Sequence, residues 1–277
     1  MQLGLKFISF SILILIIIGI IIALVLSSSG GGGLGDSIFG SPSGNVVDTR
    51  VFSKSFSISF QNSSNSDINS IVLRCKEIMD SIITSEHDNE INLSFEDLGD
   101  YTAGIAYYYQ KRIILNSRLG ATTLLNDMRV NEKIPILIHE ILHILGVGVG
   151  YTWNNSVSNY YYTGSNGVLQ YKTLLQELNY PYYEDIVKVP IENNFGSGTQ
   201  NSHFEEGLKG DSFNNSTYES RVDNGVCYPH FRKEMMTGLL QTDKTVLTRM
   251  TLGVLEDLGY TVDYNSPYVS NSITYSL

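Results

Sequence analysis

The feature that most constrains this chain is an apolar stretch, residues 136–146, in which the only charged side chain is a glutamate. It contains the pattern His-Glu-x-x-His at His139, Glu140 and His143. Residues four positions apart lie on one face of an α-helix, so both histidines can bind one metal ion. Glu140 is then placed to take a proton from an attacking water, the general-base role in zinc hydrolysis. The alternative is a buried helix with two core histidines, but burying an unpartnered glutamate is costly.

Composition limits the class of protein and the choice of further ligands. With 277 residues, 42% of them hydrophobic, the chain can form one sizeable core or one domain with two lobes. A net charge of −10 without a basic cluster argues against a nucleic-acid partner. Only His87, His203 and His230 remain as a third histidine ligand. Cys75 and Cys227 form no Cys-x-x-Cys motif, which excludes a thiolate zinc site and leaves open either one disulfide or two unpaired thiols.

The N-terminal region indicates a membrane anchor. Residues 8–26 form an uncharged apolar run that is long enough to span a bilayer. Lys6 precedes this run and acidic residues follow it, so the positive-inside bias predicts a cytoplasmic N-terminus and an extracellular or lumenal domain. A cleavable signal peptide is the alternative, which would make the protein secreted. Residues 27–49 are rich in Gly and Ser and are predicted to form a flexible tether.

From residue 50 onward the composition is typical of a globular domain. Hydrophobic periodicity predicts strands at 51–60, 91–95, 101–107, 112–116 and 259–264, and helices at 67–84, 132–145, 171–178 and 246–258. Pro135 is predicted in the first turn of the histidine-bearing helix. Gly146, Gly148 and Gly150 are predicted to end that helix in a sharp turn.

The third metal ligand does not follow the common short spacing. In His-Glu-x-x-His-x-x-Gly-x-x-His, the third histidine comes six residues after the second, and that position is Val149. The site therefore either has two histidines only or takes a ligand from far downstream. A carboxylate on a following helix is possible in principle, but Gly146 favours a turn over a continued helix.

Four segments in a shared order resemble the leishmanolysin-type metallopeptidases, a group of metzincins in which an insertion separates the helix motif from the third histidine. The segments are His139-Glu-x-x-His143-Ile-Leu-Gly146, Gly196-Ser-Gly-Thr-Gln-Asn-Ser-His203-Phe-Glu, Glu234-Met-Met236-Thr-Gly238, and the stretch from Thr248 to Tyr260. The resemblance covers about residues 101–264.

The resemblance implies an α+β, metzincin-like zincin. Its N-terminal lobe, 50–148, would hold a mixed sheet and the zinc helix, and a smaller, irregular C-terminal lobe would cover 149–277. His203 would be the third ligand to one Zn²⁺ ion, and Met236 would form a hydrophobic floor beneath it. Met236 follows His203 by 33 residues, a gap that includes a predicted surface insertion at 211–228. Within this gap His230 is the alternative third ligand.

These features predict a membrane-tethered zinc endopeptidase that acts on peptide or protein substrates, with Glu140 as the general base. The strand containing Gly104, Ile105 and Ala106 is predicted to bind the substrate backbone, because it directly precedes the zinc helix. One alternative is a non-catalytic surface or adhesion protein that keeps the fold and holds zinc structurally. Another is a zinc hydrolase acting on a different type of bond.

Overall fold

A computed structural model describes residues 47–62, 66–100, 102–118, 130–196, 198–209, 217–218, 220–238, 245–270 and 273. The predicted anchor at 8–26 lies outside these residues, as does nearly all of the predicted tether at 27–49. Within the described ranges, no helix has the length and apolar character needed to cross a membrane.

A five-stranded mixed sheet forms the first half of the domain, with strand order β1-β2-β3-β5-β4. Strands β2, β3 and β5 are parallel, whereas β1 and β4 lie antiparallel at the two edges. The strands are β1 Val47–Phe52, β2 Ser57–Asn62, β3 Glu90–Glu96, β4 Gly104–Tyr107 and β5 Arg112–Asn116.

The single strand predicted at 51–60 is wrong, because the chain forms a β1–β2 hairpin there. The predicted strand includes Phe52 and Phe56, but a turn separates them: Phe52 is 62% exposed, whereas Phe56 is buried. The turn is stabilised by Asp80, whose carboxylate accepts hydrogen bonds from the Ser53 hydroxyl at 2.6 Å and the Lys54 amide at 2.8 Å. Periodicity alone could not reveal this turn, because the residue that stabilises it lies far away in the sequence.

Two long helices belong to this half of the domain. Helix α1, Ser66–Ile82, agrees with the prediction, and it contacts the histidine-bearing helix α2, Val130–Ile144, through buried apolar residues. Pro135 is in the second turn of α2 and not in the first, because the helix begins earlier than predicted. Its missing N–H removes one intrahelical hydrogen bond, and the burial of Ile136, Leu137 and Ile138 opposes that cost.

The second half of the domain is built from three helices and short strands. The helices are α3 Gly150–Ser156, α4 Ser165–Glu177 and α5 Arg249–Asp257. Strands of two or three residues lie between them: β6 Val157–Ser158, β7 Tyr161–Tyr162, β8 Val189–Pro190, β9 Leu208–Lys209, β10 Thr217–Tyr218, β11 Arg221–Asp223 and β12 Val226–Tyr228. The helix predicted at 171–178 is thus longer at its start, and the one predicted at 246–258 is shorter. A mixed sheet with five helices among the described residues confirms the α+β class.

Three further expectations are settled by packing. The strand predicted at 259–264 is reduced to an isolated bridge between Val262 and Ile83, because the chain facing it has only just left helix α1, which ends at Ile82. Cys75 and Cys227 are both free thiols, so they do not form the disulfide that the sequence left open. The insertion predicted at the surface contributes Tyr228, which is buried, to the core.

Glu234 connects the turn after residue 233 to helix α5. Its buried carboxylate accepts hydrogen bonds from the Met236 amide, from the Thr248 amide and hydroxyl, and from the Thr251 hydroxyl at 2.6 Å. Burial raises the pKa of Glu234 to about 7, and these four donors oppose that rise. The turn and the N-terminus of α5 therefore depend on one side chain.

Replacing Glu234 is expected to destabilise the domain. Glu234→Ala leaves several buried donors without an acceptor and should lower the free energy of unfolding by at least about 3 kcal/mol. Glu234→Gln keeps one side-chain acceptor and should cost less. Chemical denaturation measures both, with the exposed Glu77→Gln as control. A loss for Glu234→Ala no greater than for Glu77→Gln would contradict the proposed link.

Candidate metal centre

Three imidazoles converge beside helix α2. His139 and His143 lie one turn apart on that helix, as predicted, and His203 lies on the segment that follows α4. The Nε2 atoms form an equilateral triangle, with 3.1 Å between His139 and His143, between His139 and His203, and between His143 and His203. Among the described residues, these three form a group of side chains able to hold a metal ion.

Backbone carbonyls fix the orientation of each ring. The Nδ1–H of His139 donates to Met235 O at 2.7 Å, that of His143 to Val147 O at 2.8 Å, and that of His203 to Thr199 O at 2.9 Å. A carbonyl oxygen only accepts, so each Nδ1 carries the proton and each Nε2 presents a lone pair. Three lone pairs aimed at one another repel unless a cation lies between them.

The site's electrostatics favour neutral ligands. Burial lowers the pKa of all three histidines, that of His203 to about 3. They are therefore neutral imidazoles at physiological pH, the form that binds metal. An ion held 2.0–2.1 Å from three nitrogens in tetrahedral geometry separates those nitrogens by about 3.3–3.4 Å. The observed 3.1 Å is close to that spacing, so the three histidines can hold a metal ion.

Glu140 lies against the edge strand β4. Its side chain is buried and, within the described part of the chain, no group donates a hydrogen bond to its carboxylate. A Cβ placed on Gly104 would come within 2.7 Å of Glu140 Oε1, so the glycine makes room for the carboxylate. Burial raises the pKa of Glu140 to about 8, and a bound cation nearby would oppose that rise.

The turn at Met235 and Met236 joins two parts of the site. Met235 O accepts the hydrogen bond from His139, and Met236 O accepts one from the Phe204 amide at 2.8 Å, next to His203. Met236 itself is fully buried. Its role as the floor beneath the metal stays a prediction. The hydrogen bonds accepted by the carbonyls of Met235 and Met236 show that the turn positions His139 and the residue next to His203.

Glycines allow the chain to close around the histidines. Gly146 and Gly148 have φ values of +111° and +81°, as expected for the predicted sharp turn. A Cβ on Gly148 would lie 2.0 Å from Ser202 O and 3.0 Å from the His143 ring, so only glycine fits there. The turn thereby brings the end of α2 against the segment that carries His203.

The other two histidines lie apart from the group. His230 is buried, with its ring packed against Gly207, where a Cβ would come within 2.2 Å of it. It is not one of the three converging side chains, so the geometry favours His203 over His230 as third ligand. His87 lies in the loop between α1 and β3 and is exposed, with its ring 4.3 Å from that of Tyr260.

Acidic residues behind His203 were missed by the sequence analysis. The buried Glu205 forms an ion pair with Arg221 of strand β11, so the inserted segment is tied to the segment that carries His203. Burial and the neighbouring Glu192 carboxylate raise the pKa of Glu206 to about 9, which makes it a neutral acid at physiological pH. The members of these pairs, Glu205 with Arg221 and Glu206 with Glu192, are 14 to 16 positions apart in the sequence. No local sequence pattern indicates that such residues will be neighbours.

Removal of His203 should strongly weaken metal binding, whereas removal of His230 should not. After incubation with zinc and desalting, the wild type and His230→Ala should retain one ion per chain, as does the exposed control His87→Ala. His203→Ala should bind at least about 100-fold more weakly, since loss of a ligand exceeds the 10–100-fold cost of losing its outer-shell partner. Elemental analysis and competition with a chromogenic chelator measure both. Equal retention by His203→Ala and the wild type would exclude this site.

Comparison with models of known protein families found no match, and neither did comparison with curated proteins. The geometry of the three histidines and Glu140 is therefore the main basis for assigning a function.

Proposed function

We propose that this chain is a membrane-tethered zinc endopeptidase with a fold resembling that of the leishmanolysin-type metzincins. The observation that carries the proposal is the convergence of His139, His143 and His203 next to the buried carboxylate of Glu140. Three neutral imidazoles suit zinc, although other transition metals also accept such ligands. A site with three protein ligands keeps a coordination position for reactants, as catalytic zinc sites do.

The chemistry divides between the metal and Glu140. A bound zinc ion would polarise the substrate carbonyl and supply the Lewis acidity for hydrolysis. Glu140 would accept a proton from the attacking water and deliver it to the leaving amine. The absence of a competing hydrogen-bond donor among the described residues leaves its carboxylate available for both transfers.

The edge of strand β4 supports the predicted substrate strand. Asn116 N–H donates to Ala103 O at 3.0 Å, and the register of β4 with β5 places these residues opposite each other. Bonded and non-bonded pairs alternate in an antiparallel ladder, so Ile105 directs its amide groups at β5. Gly104 and Ala106 direct theirs outward, along an edge that no described strand covers.

An extended peptide would therefore form backbone hydrogen bonds with Gly104 and Ala106, whereas the backbone groups of Ile105 bond to β5. Since Gly104 contacts Glu140, this edge leads directly to the proposed general base. An accessible edge beside a three-ligand centre favours an endopeptidase over the alternative of a surface or adhesion protein with structural zinc. Structural zinc sites normally have four protein ligands, and the described residues supply three to this group.

Replacing the general base tests the mechanism. Glu140→Gln should keep its zinc but hydrolyse peptides at least about 100-fold more slowly, because the proton acceptor is lost. Activity is measured on a mixed-sequence peptide library, whose products are identified by mass spectrometry. The control is Glu177→Gln, whose side chain pairs with Arg249 at the surface. Unchanged hydrolysis by zinc-loaded Glu140→Gln would refute the proposed role of Glu140.

Gly104→Ala tests the contact between the edge strand and the base. The added methyl group should displace the Glu140 carboxylate and lower kcat/KM by roughly 10-fold to 100-fold, while the zinc content stays the same. Gly198→Ala is the matched control, because nothing lies within 4 Å of its Cβ position. Equal activity of the two variants would show that Gly104 does not position Glu140.

A further inference from the structure

A cluster of exposed aromatic side chains lies at the far end of the edge strand β4. Tyr107 ends that strand and Tyr109 lies in the following turn, and they are 39% and 82% exposed. Between them Tyr108 is partly buried, and its ring contacts that of Tyr109 edge-on with 5.1 Å between centroids. Such rings offer rigid apolar contact area at the surface, which a bound side chain can use.

This turn is fixed to the end of the histidine-bearing helix. Lys111 Nζ donates to Ile144 O, near the end of α2, at 3.0 Å, and it lies 4.4 Å from the centroid of the Tyr108 ring. Tyr108 in turn packs on Gly150, where a Cβ would come within 3.0 Å of its hydroxyl oxygen. The next residue, Tyr151, is 81% exposed. Tyr107, Tyr109 and Tyr151, here called the tyrosine patch, thus lie around the junction between this turn and the end of α2.

The direction of β4 decides which part of a substrate reaches this patch. The strand runs from Gly104, which contacts Glu140, to Tyr107. Antiparallel pairing is the more stable arrangement, and it orients a bound peptide from the Tyr107 end towards the Gly104 end. Three steps along a strand cover about 10 Å. The residue opposite Tyr107 therefore lies about three positions before the cleaved bond, with its side chain on the same face as that of Tyr107.

We infer that the tyrosine patch is a specificity-determining subsite that binds an aromatic or large aliphatic side chain about three residues before the cleaved bond. This inference rests on the proposed peptidase function. Tyrosine rings offer rigid apolar contact area and a hydroxyl that stays hydrated, which suits an apolar side chain of an extended peptide. Continuity with the free edge of β4 favours a peptide substrate over a lipid surface as the occupant.

The test compares cleavage preferences of three zinc-loaded proteins on a random-sequence peptide library. They are the wild type, the triple variant Tyr107→Ser/Tyr109→Ser/Tyr151→Ser, and the control Tyr182→Ser, which removes a tyrosine that is 61% exposed elsewhere. The wild type and the control should enrich aromatic or large aliphatic residues about three positions before the cut. The triple variant should lose that preference and cleave the best aromatic peptide roughly 10-fold less efficiently. A matched peptide with glycine at that position should be cleaved equally by all three.

Identical preferences in the wild type and the triple variant would overturn the inference, as would a tyrosine-dependent preference found only after the cut. Peptide binding to Glu140→Gln protein, with and without the three tyrosine changes, separates this failure from failure of the proposed function. If the wild type cleaves no peptide, the peptidase proposal fails, and tyrosine-dependent binding of aromatic peptides still supports the patch. Loss of binding to phosphatidylcholine–phosphatidylserine vesicles, with unchanged peptide preference and binding, would assign the patch to a membrane and overturn the inference.

Discussion

The site depends on three hydrogen bonds in which backbone carbonyls accept the Nδ1 protons of His139, His143 and His203. These bonds fix the tautomers and aim the three Nε2 lone pairs at one point. Each carbonyl comes from a different turn, after α2, before His203, and at Met235. The three imidazoles therefore converge only when turns from both halves of the domain are in place.

Sequence motifs predicted which three histidines converge. His139, Glu140 and His143 follow from helix periodicity, and the resemblance to leishmanolysin-type enzymes implied that His203 joins them. The carbonyl acceptors were not predictable, because every residue has a carbonyl and only the turn geometry directs it. The need for glycine at position 104 was also not predictable, because it arises from the contact with the Glu140 side chain.

The fold was predicted less evenly. Helix α1 and strands β3 and β5 have strong periodicity and were predicted correctly. The β1–β2 hairpin was missed because Asp80, far along the chain, stabilises its turn. The strand predicted at 259–264 does not form, because the chain that faces Val262 has only just left helix α1 at Ile82. Long-range contacts decide both cases, and local pattern does not contain them.

The central claim is that three histidines hold one metal ion and leave a position for reactants. X-ray absorption spectroscopy of the zinc-loaded protein tests it most directly. The account predicts three imidazole nitrogens and one or two oxygen ligands, all at about 2.0–2.2 Å. A shell of four nitrogen ligands, or a signal unchanged when His203 is replaced by alanine, would contradict it.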